Sequence, residues 1–459
     1  MPEIYSAESK DISPSSPKEQ RRVIFSTVVG TSIEWYDFFL YASAAGLVFN
    51  ELFFKGLGAQ GSVIVSFVTV GLSFLFRPLG AFLAGHYGDK IGRRKVLMIT
   101  LIMMGVATTL IGVLPTFGQV GVIAPMLLIL LRILQGISAG GEWGGAVLMA
   151  VEHAPVNRRG LFGASPQAGV PIGLLLASAM LAIMAAVAPG EAFMQWGWRI
   201  PFLFSIVLIV VGYYIRHGVE ESPVFKEIAA RAQQTKQPVG VLFKNHWLLV
   251  IIAALVFVGN NAVGYMTTGG FVQRYATDPN GPVAMDRGSV LWVVTASAVV
   301  WLITSVLAGW VSDKIGRRNT YILGYVMLFV GVLLLFPLVN GATTTSLFWA
   351  LAMLSVGLGF TYGQQSALYT ELFPASIRFS GVSISYAIGA ILGGAFAPTI
   401  AAALLTATGS TTSITIYLGI MVLIGLGAVL MLRDRTGIPL GPDHEAEQAQ
   451  SPIRGVSRV

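Results

Sequence analysis

Two carboxylates, Glu34 and Asp37, lie three positions apart inside a long apolar stretch of the sequence, GTSIEWYDFFLY (30–41). A charge in the middle of an apolar membrane helix costs about 2.5–3.5 kcal/mol, so such a group is expected to face a cavity or a partner. Tyr41 completes an i, i+3, i+7 spacing, which puts the three side chains on one helical face and predicts that they line a cavity. Because neighbouring carboxylates in a low dielectric cannot both ionise cheaply, the pair is expected to bind and release a proton.

Three further charged residues fall inside predicted spans, Arg77, Arg132 and Glu142. Arginine stays protonated under all ordinary conditions, so Arg132 can attract an anionic substrate or change the proton affinity of a carboxylate. We predict that Asp37, Glu34, Arg132 and Glu142 couple transport to protons, and that Arg77 contacts substrate. The alternative is a static network that pairs Arg77 with Asp37 or Arg132 with Glu34. Buried ion pairs stabilise proteins poorly compared with apolar packing, which disfavours it.

The second half of the chain has uncharged polar groups where the first half has charges. Amides and aromatic rings suit recognition of hydroxyl and carbonyl groups. For each amide taken singly, the equally favoured alternative is that it only hydrogen-bonds to a neighbouring helix. With Arg77, the predicted substrate-binding residues are Tyr41, Gln135, Asn260, Asn261, Tyr265, Gln364, Gln365 and Tyr386.

The composition is that of an integral membrane protein. Of 459 residues, 54% are hydrophobic and 11% are charged, against about 25% charged in a typical soluble chain. There is no cysteine, which excludes disulfides, thiolate catalysis and cysteine-ligated metals. The sequence also lacks a phosphate-binding G-x4-G-K-[ST] loop, a metal-ligand cluster and a sizeable soluble domain. We therefore expect no enzyme, no cofactor and no metal.

Hydropathy predicts twelve membrane-spanning helices, six in each half of the chain. They are placed at 23–47, 62–86, 96–114, 125–150, 162–188, 200–216, 247–271, 288–311, 320–339, 346–370, 380–405 and 413–432. The implied domains are an N-terminal tail (1–22), a six-helix bundle (23–216), a linker (217–246), a second bundle (247–432) and a C-terminal tail (433–459).

The basic residues concentrate on one side of the membrane in the predicted topology. Of 29 Lys and Arg residues, 23 fall in the two tails and the even-numbered loops. By the positive-inside rule both termini are cytoplasmic. The net charge of +7 is therefore a topology signal, and no nucleic-acid partner is expected.

The chain repeats itself, since GHYGDKIGRR (85–94) returns 224 residues later as GWVSDKIGRR (309–318). Each copy is followed by a Glu and an Arg in E-x6-R spacing. Two matched six-helix halves are typical of a transporter. We predict that these charges close the cytoplasmic side, the alternative being that the arginines only set topology. The predicted gate residues are Asp89, Arg93, Arg94, Glu152, Arg159, Asp313, Arg317, Arg318, Glu371 and Arg378.

Three glycines of the fourth span, Gly136, Gly140 and Gly144, repeat every four residues. This spacing favours close packing against a neighbouring helix. A hinge is the alternative.

The duplicated loop resembles the signature loop of the major facilitator superfamily, and RILQG (132–136) is similar to its R-x-x-Q-G motif. Other stretches resemble the metabolite:proton symporter family, which includes shikimate, α-ketoglutarate, citrate and proline/betaine permeases, and shikimate-permease-like members look nearest. These stretches are GTSIEWYDFFLY, FRPLGA (76–81), GGEWGGA (140–146), GWRIPFLFS (197–205), EES (220–222) and ELFPASIRFSG (371–381).

The resemblance implies an all-α membrane protein of two pseudo-symmetric six-helix halves in a bacterial cytoplasmic (inner) membrane. It implies import of a small organic anion or osmolyte with protons by alternating access. A drug or metabolite:proton antiporter of the same fold is the alternative. We expect a functional monomer in the lipid bilayer, with Asp37 preferred over Glu34 as the proton carrier.

Overall fold

A computed structural model describes residues 16–91, 93–217, 238–268 and 270–455. Residues 59, 84–91, 93–97, 216–217, 238–239 and 268 are described by their backbone alone.

The described chain contains twelve long helical segments, which we number α1 to α12. The first half consists of α1 Pro17–Ala44, α2 Gly58–Ile91, α3 Arg93–Val113, α4 Ile123–Glu152, α5 Arg159–Val187 and α6 Arg199–His217. The second half consists of α7 Pro238–Thr268, α8 Arg287–Ile315, α9 Arg317–Val339, α10 Thr344–Leu372, α11 Arg378–Thr408 and α12 Thr412–Met431.

Most of these segments are long and apolar enough to cross a membrane. The criterion is met by 10 of them, while α3 contains a shorter apolar helix, Met98–Val113. The remaining segment, α1, carries Glu34 and Asp37 and is buried along most of its length. The chain is thus a multi-pass, all-helical membrane protein, and the predicted twelve-helix fold is confirmed.

The internal repeat extends to irregularities of the helices. α4 is interrupted at 140–141, between Ile123–Ala139 and Glu142–Glu152. α10 is interrupted at 363–364, between Thr344–Tyr362 and Gln365–Leu372. The two breaks are related by the 224-residue offset to within one residue. Both breaks contain glycine, Gly140 and Gly141 in α4 and Gly363 in α10, and glycine has low helix propensity.

Two predicted boundaries differ from the observed helices. α1 begins at Pro17 and is capped by Ser16, whose hydroxyl accepts a hydrogen bond from the Glu19 amide (3.3 Å). Part of the predicted N-terminal tail is therefore helical. α7 begins at Pro238, inside the predicted linker, and bends at His246. Hydropathy detects the apolar part of a helix and misses its polar extension. Residues 218–237 of the linker lie outside the described residues, and the exact domain limits stay a prediction.

Residues 432–455, the C-terminal segment, fold back onto the end of the molecule that carries the 309–318 loop. A β-bridge joins Leu432 to Ile453. Ile438 and Leu440 are buried in a small apolar cluster with Val151 of α4. Sequence analysis predicted only a tail here, because isolated apolar residues in a polar stretch give no periodic signal.

Glycines bring α4 against α2 at backbone distance. A Cβ on Gly136 would collide with the backbone of Ser73, and one on Gly140 with the backbone of Arg77. This contact supports the packing interpretation of the glycine repeat.

The contact predicts that Gly136→Ala lowers the midpoint of thermal unfolding in detergent, since overpacking costs about 1–3 kcal/mol. Gly145→Ala is the matched control, because a Cβ there meets nothing within 4 Å. The control is expected to be neutral or slightly stabilising, as alanine exceeds glycine in helix propensity. Equal midpoints for the two variants would contradict the packing account.

Candidate functional site

Asp37 lies on α1 in a fully buried position inside the first half. The Ser205 hydroxyl of α6 donates to its Oδ1 (2.7 Å), and the side chain of Thr108 on α3 lies beside the carboxylate. Oδ2 accepts no hydrogen bond from a described residue. No basic nitrogen in the described part of the chain comes within 4.0 Å of Asp37, so the Arg77–Asp37 pair of the alternative static network is not found. The hydrogen bond that this acid accepts in the described structure thus comes from a neutral hydroxyl.

The stretch GWRIPFLFS (197–205) fixes the position of this site. Besides donating through Ser205, it accepts a hydrogen bond from the Tyr36 hydroxyl at the Pro201 carbonyl (2.7 Å). Arg199 donates to the carbonyls of Gly112 (3.0 Å) and Leu114 (2.7 Å) at the end of α3. One sequence motif therefore ties α1 and α3 to α6 around Asp37.

Arg132 is fully buried and is held by groups that carry no net charge. Its guanidinium donates to the α2 carbonyls of Thr69 (3.1 Å) and Val70 (3.1 Å). Its carbon Cζ lies 4.1 Å from the ring centroid of Tyr41 and 4.7 Å from that of Phe38. Cation–π contacts of this kind stabilise a desolvated cation. No carboxylate of a described residue pairs with it, so the alternative pairing with Glu34 is not found.

Gln135 links Arg132 to the surroundings of Asp37. Its Oε1 accepts from Arg132 Nη1 (2.9 Å), and its Nε2 donates to the Thr108 hydroxyl (2.7 Å). Sequence analysis assigned Gln135 to substrate, whereas the structure places it in this network. Glu142, at the start of the second part of α4, also faces Asp37.

Glu34 and Arg77 belong to a second group, at the contact between the halves. Glu34 is buried near Tyr265, Tyr362 and Tyr386 of the second half. The Arg77 guanidinium lies beside the Tyr386 hydroxyl, with its Cζ 4.4 Å from the ring centroid of Phe74.

The two acids of α1 therefore have different neighbours. Three residues along a helix turn the direction of a side chain by about 60°, which is enough to separate Glu34 from Asp37. The Tyr41 hydroxyl donates to Thr69 (2.7 Å) and its ring covers Arg132. The prediction that Glu34, Asp37 and Tyr41 line one cavity is thus wrong.

A small cavity lies between the halves; we call it the central cavity. Three of its side chains carry hydrogen-bond donors that have no partner among the described residues, the indole N–H groups of Trp35 and Trp301 and the Tyr265 hydroxyl. The cavity is lined by Trp35, Phe39, Val170, Asn260, Asn261, Gly264, Tyr265, Trp301 and Tyr362.

The predicted substrate residues divide around this cavity. Asn260, Asn261 and Tyr265 line it, although Asn260 also donates to Thr361 (2.5 Å) and Asn261 to the Ala390 carbonyl (3.1 Å).

Three of the other predicted residues take different positions. The Tyr386 hydroxyl lies 3.3 Å from that of Tyr362, at the edge of the cavity. Gln364 and Gln365 are buried in α10 outside its lining.

Sequence analysis missed the two tryptophans that contribute donors. Trp35 lies within GTSIEWYDFFLY, between the two acids, so the motif itself was the available signal. Nothing in the sequence marks Trp301, because only the packing of α8 turns its ring into the cavity.

Ion pairs gather at the end of the molecule formed by residues 152–161, 313–318, 371–378 and the C-terminal segment; we call it the motif end. Arg317 pairs with Asp313 (2.7 Å) and Glu371 (3.2 Å); Arg317 and Glu371 are buried, and Asp313 is partly buried.

Two contacts at the motif end cross between the halves. Glu152 pairs with Arg378 (3.4 Å). The Asp313 carboxylate accepts hydrogen bonds from the backbone amides of Gly160 (2.8 Å) and Leu161 (2.9 Å) at the start of α5. A carboxylate at a helix N-terminus is favoured by the unpaired amides there.

The remaining predicted gate residues differ in their contacts. Arg159 donates to the Ile438 carbonyl of the C-terminal segment (2.5 Å). Arg318 donates to the Leu430 carbonyl (3.2 Å) and is half-exposed. The side chains of Asp89, Arg93 and Arg94 lie outside those that the structure describes.

The halves also touch on the other side of the central cavity. The hydroxyls of Ser178 on α5 and Thr295 on α8 are 2.8 Å apart. The backbones of Gly46 and Gly270 also approach closely. A Cβ on Gly46 would lie 2.6 Å from the Gly270 carbonyl oxygen. Contacts between the halves thus lie on both sides of the cavity.

Twelve helices in two pseudo-symmetric halves, with a cavity between them, define a membrane transporter. The family models agree: residues 23–240 match "Sugar (and other) transporter" and residues 268–458 match "Major Facilitator Superfamily". The chain belongs to the major facilitator superfamily, a family of transporters and not of enzymes, which confirms the family predicted from the sequence.

Its similar relatives include two proteins of Escherichia coli K12. The inner membrane metabolite transport protein YhjE is 36% identical over 90% of this chain and 94% of its own. The shikimate transporter is 36% identical, with the same shares covered. Among solved structures, the proton:xylose symporter XylE has a TM-score of 0.74 at 18% identity, covering 94% of this chain and 99% of its own. This last likeness shows the fold alone.

The buried cluster at the motif end predicts a large effect of Arg317→Met on stability. Removing one partner of a buried ion pair typically costs about 3–5 kcal/mol, because the remaining charges stay buried. Thermal unfolding in detergent measures the change. The control is Arg318→Met, which removes a half-exposed arginine next along the chain and is expected to change the midpoint little. An Arg317→Met variant as stable as this control would contradict the assignment.

Proposed function

We propose that this protein is a secondary active transporter that imports a small organic acid or related metabolite together with protons. The observation that carries the proposal is the Asp37 site: a fully buried carboxylate that accepts a hydrogen bond from the Ser205 hydroxyl, with the Thr108 side chain beside it. Hydroxyls can donate to an ionised carboxylate and accept from a protonated one. Such a site tolerates both protonation states, as a reversible proton carrier requires.

A fixed ion pair would oppose that role, because a neighbouring cation holds a carboxylate in its charged form. Arg132 instead reaches Asp37 through Gln135 and Thr108. This separation lets the arginine favour the ionised state without committing the carboxylate to it. We assign proton coupling to Asp37 and Arg132, with Glu142 as the acid facing Asp37 and Glu34 as the acid facing the second half.

The substrate is proposed to bind in the central cavity. Its unpartnered donors, on Trp35, Trp301 and Tyr265, suit the acceptor oxygens of a hydroxylated or carboxylated metabolite. Arg77 adds positive charge beside Tyr386, at the cavity edge. The names of the similar E. coli proteins, which are metabolite and shikimate transporters, support an organic acid as the substrate class.

Alternating access would then proceed by rocking of the two halves about the cavity. Opening at the motif end has to break the Glu152–Arg378 pair and withdraw Asp313 from the start of α5. We propose that the motif end is cytoplasmic, since the basic residues concentrate there. The protein is proposed to work as a monomer in a bacterial inner membrane.

The proposal is tested by uptake of radiolabelled organic acids, including shikimate, into proteoliposomes with and without an inward proton gradient. The symport account predicts that the gradient drives accumulation of at least one acid above its external concentration. Accumulation driven by an outward gradient would instead establish the antiporter. Uptake of every acid at a rate indifferent to either gradient would refute proton coupling.

Within that assay, Asp37→Asn is expected to reduce gradient-driven accumulation to the level of empty vesicles while exchange of labelled for unlabelled substrate continues. Asparagine keeps the size of the side chain but cannot take up a proton. The control is Asp278→Asn, which removes a partly exposed partner of Arg274 (3.3 Å) far from the site in sequence. Accumulation by Asp37→Asn at the wild-type level would exclude Asp37 as the carrier.

A further inference from the structure

The Thr108 hydroxyl on α3 contacts three polar groups at once. It accepts from Gln135 Nε2 (2.7 Å), it donates to the Met104 carbonyl of its own helix (3.0 Å), and it lies beside the Asp37 carboxylate. A hydroxyl has one proton to donate. Thr108 can therefore donate to the Met104 carbonyl or to Asp37, but not fully to both.

The orientation of the Gln135 amide determines that it donates to the Thr108 hydroxyl. A guanidinium only donates, so the Gln135 atom 2.9 Å from Arg132 Nη1 is the amide oxygen. The amide nitrogen then points to Thr108 and donates to it. Gln135 thus occupies one of the two lone pairs of the Thr108 oxygen, and the single hydroxyl proton points to Met104 or to Asp37.

We propose that Thr108 is a positioning residue whose hydroxyl donates to Asp37 when that carboxylate is ionised and to the Met104 carbonyl when it is protonated. Gln135 holds the hydroxyl in reach of both, and it is itself oriented by Arg132. Through this link, the position of Arg132 determines whether a hydroxyl donor is available to Asp37, although the two charged groups form no ion pair. The inference rests on the proposed role of Asp37 as proton carrier and adds the residue that couples it to Arg132.

The other groups around Asp37 do not duplicate this role. Ser205 donates to Oδ1 from α6 (2.7 Å) but has no contact with the Arg132 network in the described structure. Glu142 faces Asp37 from α4 as a like charge, and the neighbouring Tyr36 on α1 donates its hydroxyl to Pro201 (2.7 Å). Thr108 is the side chain in the described structure that lies beside the carboxylate and also hydrogen-bonds to Gln135, which leads to Arg132.

The test is the pH dependence of uptake in proteoliposomes for Thr108→Val. Valine keeps the shape of threonine but has no hydroxyl, so the ionised form of Asp37 loses a donor. A hydrogen bond to a charged group is worth enough to move the pH of half-maximal uptake upward by about one unit. Thr108→Ser restores the hydroxyl and is expected to return the midpoint to the wild-type value.

The matched control is Thr109→Val. The Thr109 hydroxyl donates only within its own helix, to the Gly105 carbonyl (2.8 Å), so its removal is expected to leave the midpoint unchanged. If Thr108→Val does not reach the membrane, Gln135→Met is measured in the same way, because it removes the amide that orients the hydroxyl.

A wild-type midpoint in Thr108→Val, or in Gln135→Met where that variant is used, would overturn the inference, even if the maximal rate falls. Equal shifts in Thr108→Val and Thr109→Val would also overturn it, since they would reflect a general effect on α3. Failure of the proposed function looks different. In that case wild-type uptake itself does not respond to the proton gradient.

Discussion

The free-energy cost of burying charge between apolar helices governs the arrangement of this protein. The structure meets that cost in two ways. At the motif end, buried charges pair with opposite charges, as Arg317 does with Asp313 and Glu371. At the middle of the first half, Arg132 contacts backbone carbonyls and aromatic faces, and Asp37 accepts a hydrogen bond from a hydroxyl at one of its two oxygens. The first arrangement ties α8, α9 and α10 of the second half together, and the second surrounds the carboxylate that we propose as the proton carrier.

This division places different tasks in different layers of the molecule. The Asp37 site lies among α1, α3 and α6, where the stretch GWRIPFLFS fixes its geometry. The central cavity lies between the halves, where Trp35 and Trp301 present donors from opposite sides. Trp35 is two residues from Asp37 on the same helix. A short stretch of α1 thus connects the proposed proton site to the proposed substrate site.

Sequence analysis predicted the elements of the fold well, because long apolar runs and the duplicated loop are strong, redundant signals. It placed helix ends poorly at Pro17 and Pro238, where polar residues extend the helix beyond its apolar part. It also missed the folding of the C-terminal segment, whose few buried residues are scattered. The residue types of the site were visible, since charges at membrane depth stand out in the sequence.

Their partners were not visible, because partners depend on packing. Glu34 and Asp37 are three residues apart, which suggested that they share a cavity. The angle between their side chains instead places Glu34 against the second half and Asp37 inside the first half. Gln135 was assigned to substrate, although its amide joins Arg132 to Thr108. Trp301 could not be predicted as a cavity residue, because only the packing of α8 places its ring there.

The central claim is that Asp37 gains and loses a proton within the working pH range, and infrared difference spectroscopy tests it most directly. The C=O stretch of protonated carboxylic acids is followed while the pH is titrated in reconstituted membranes, for the wild type and for Asp37→Asn. The account predicts a band that titrates with the same midpoint as uptake and is absent from Asp37→Asn. A titrating carboxylic band that persists unchanged in Asp37→Asn would contradict it.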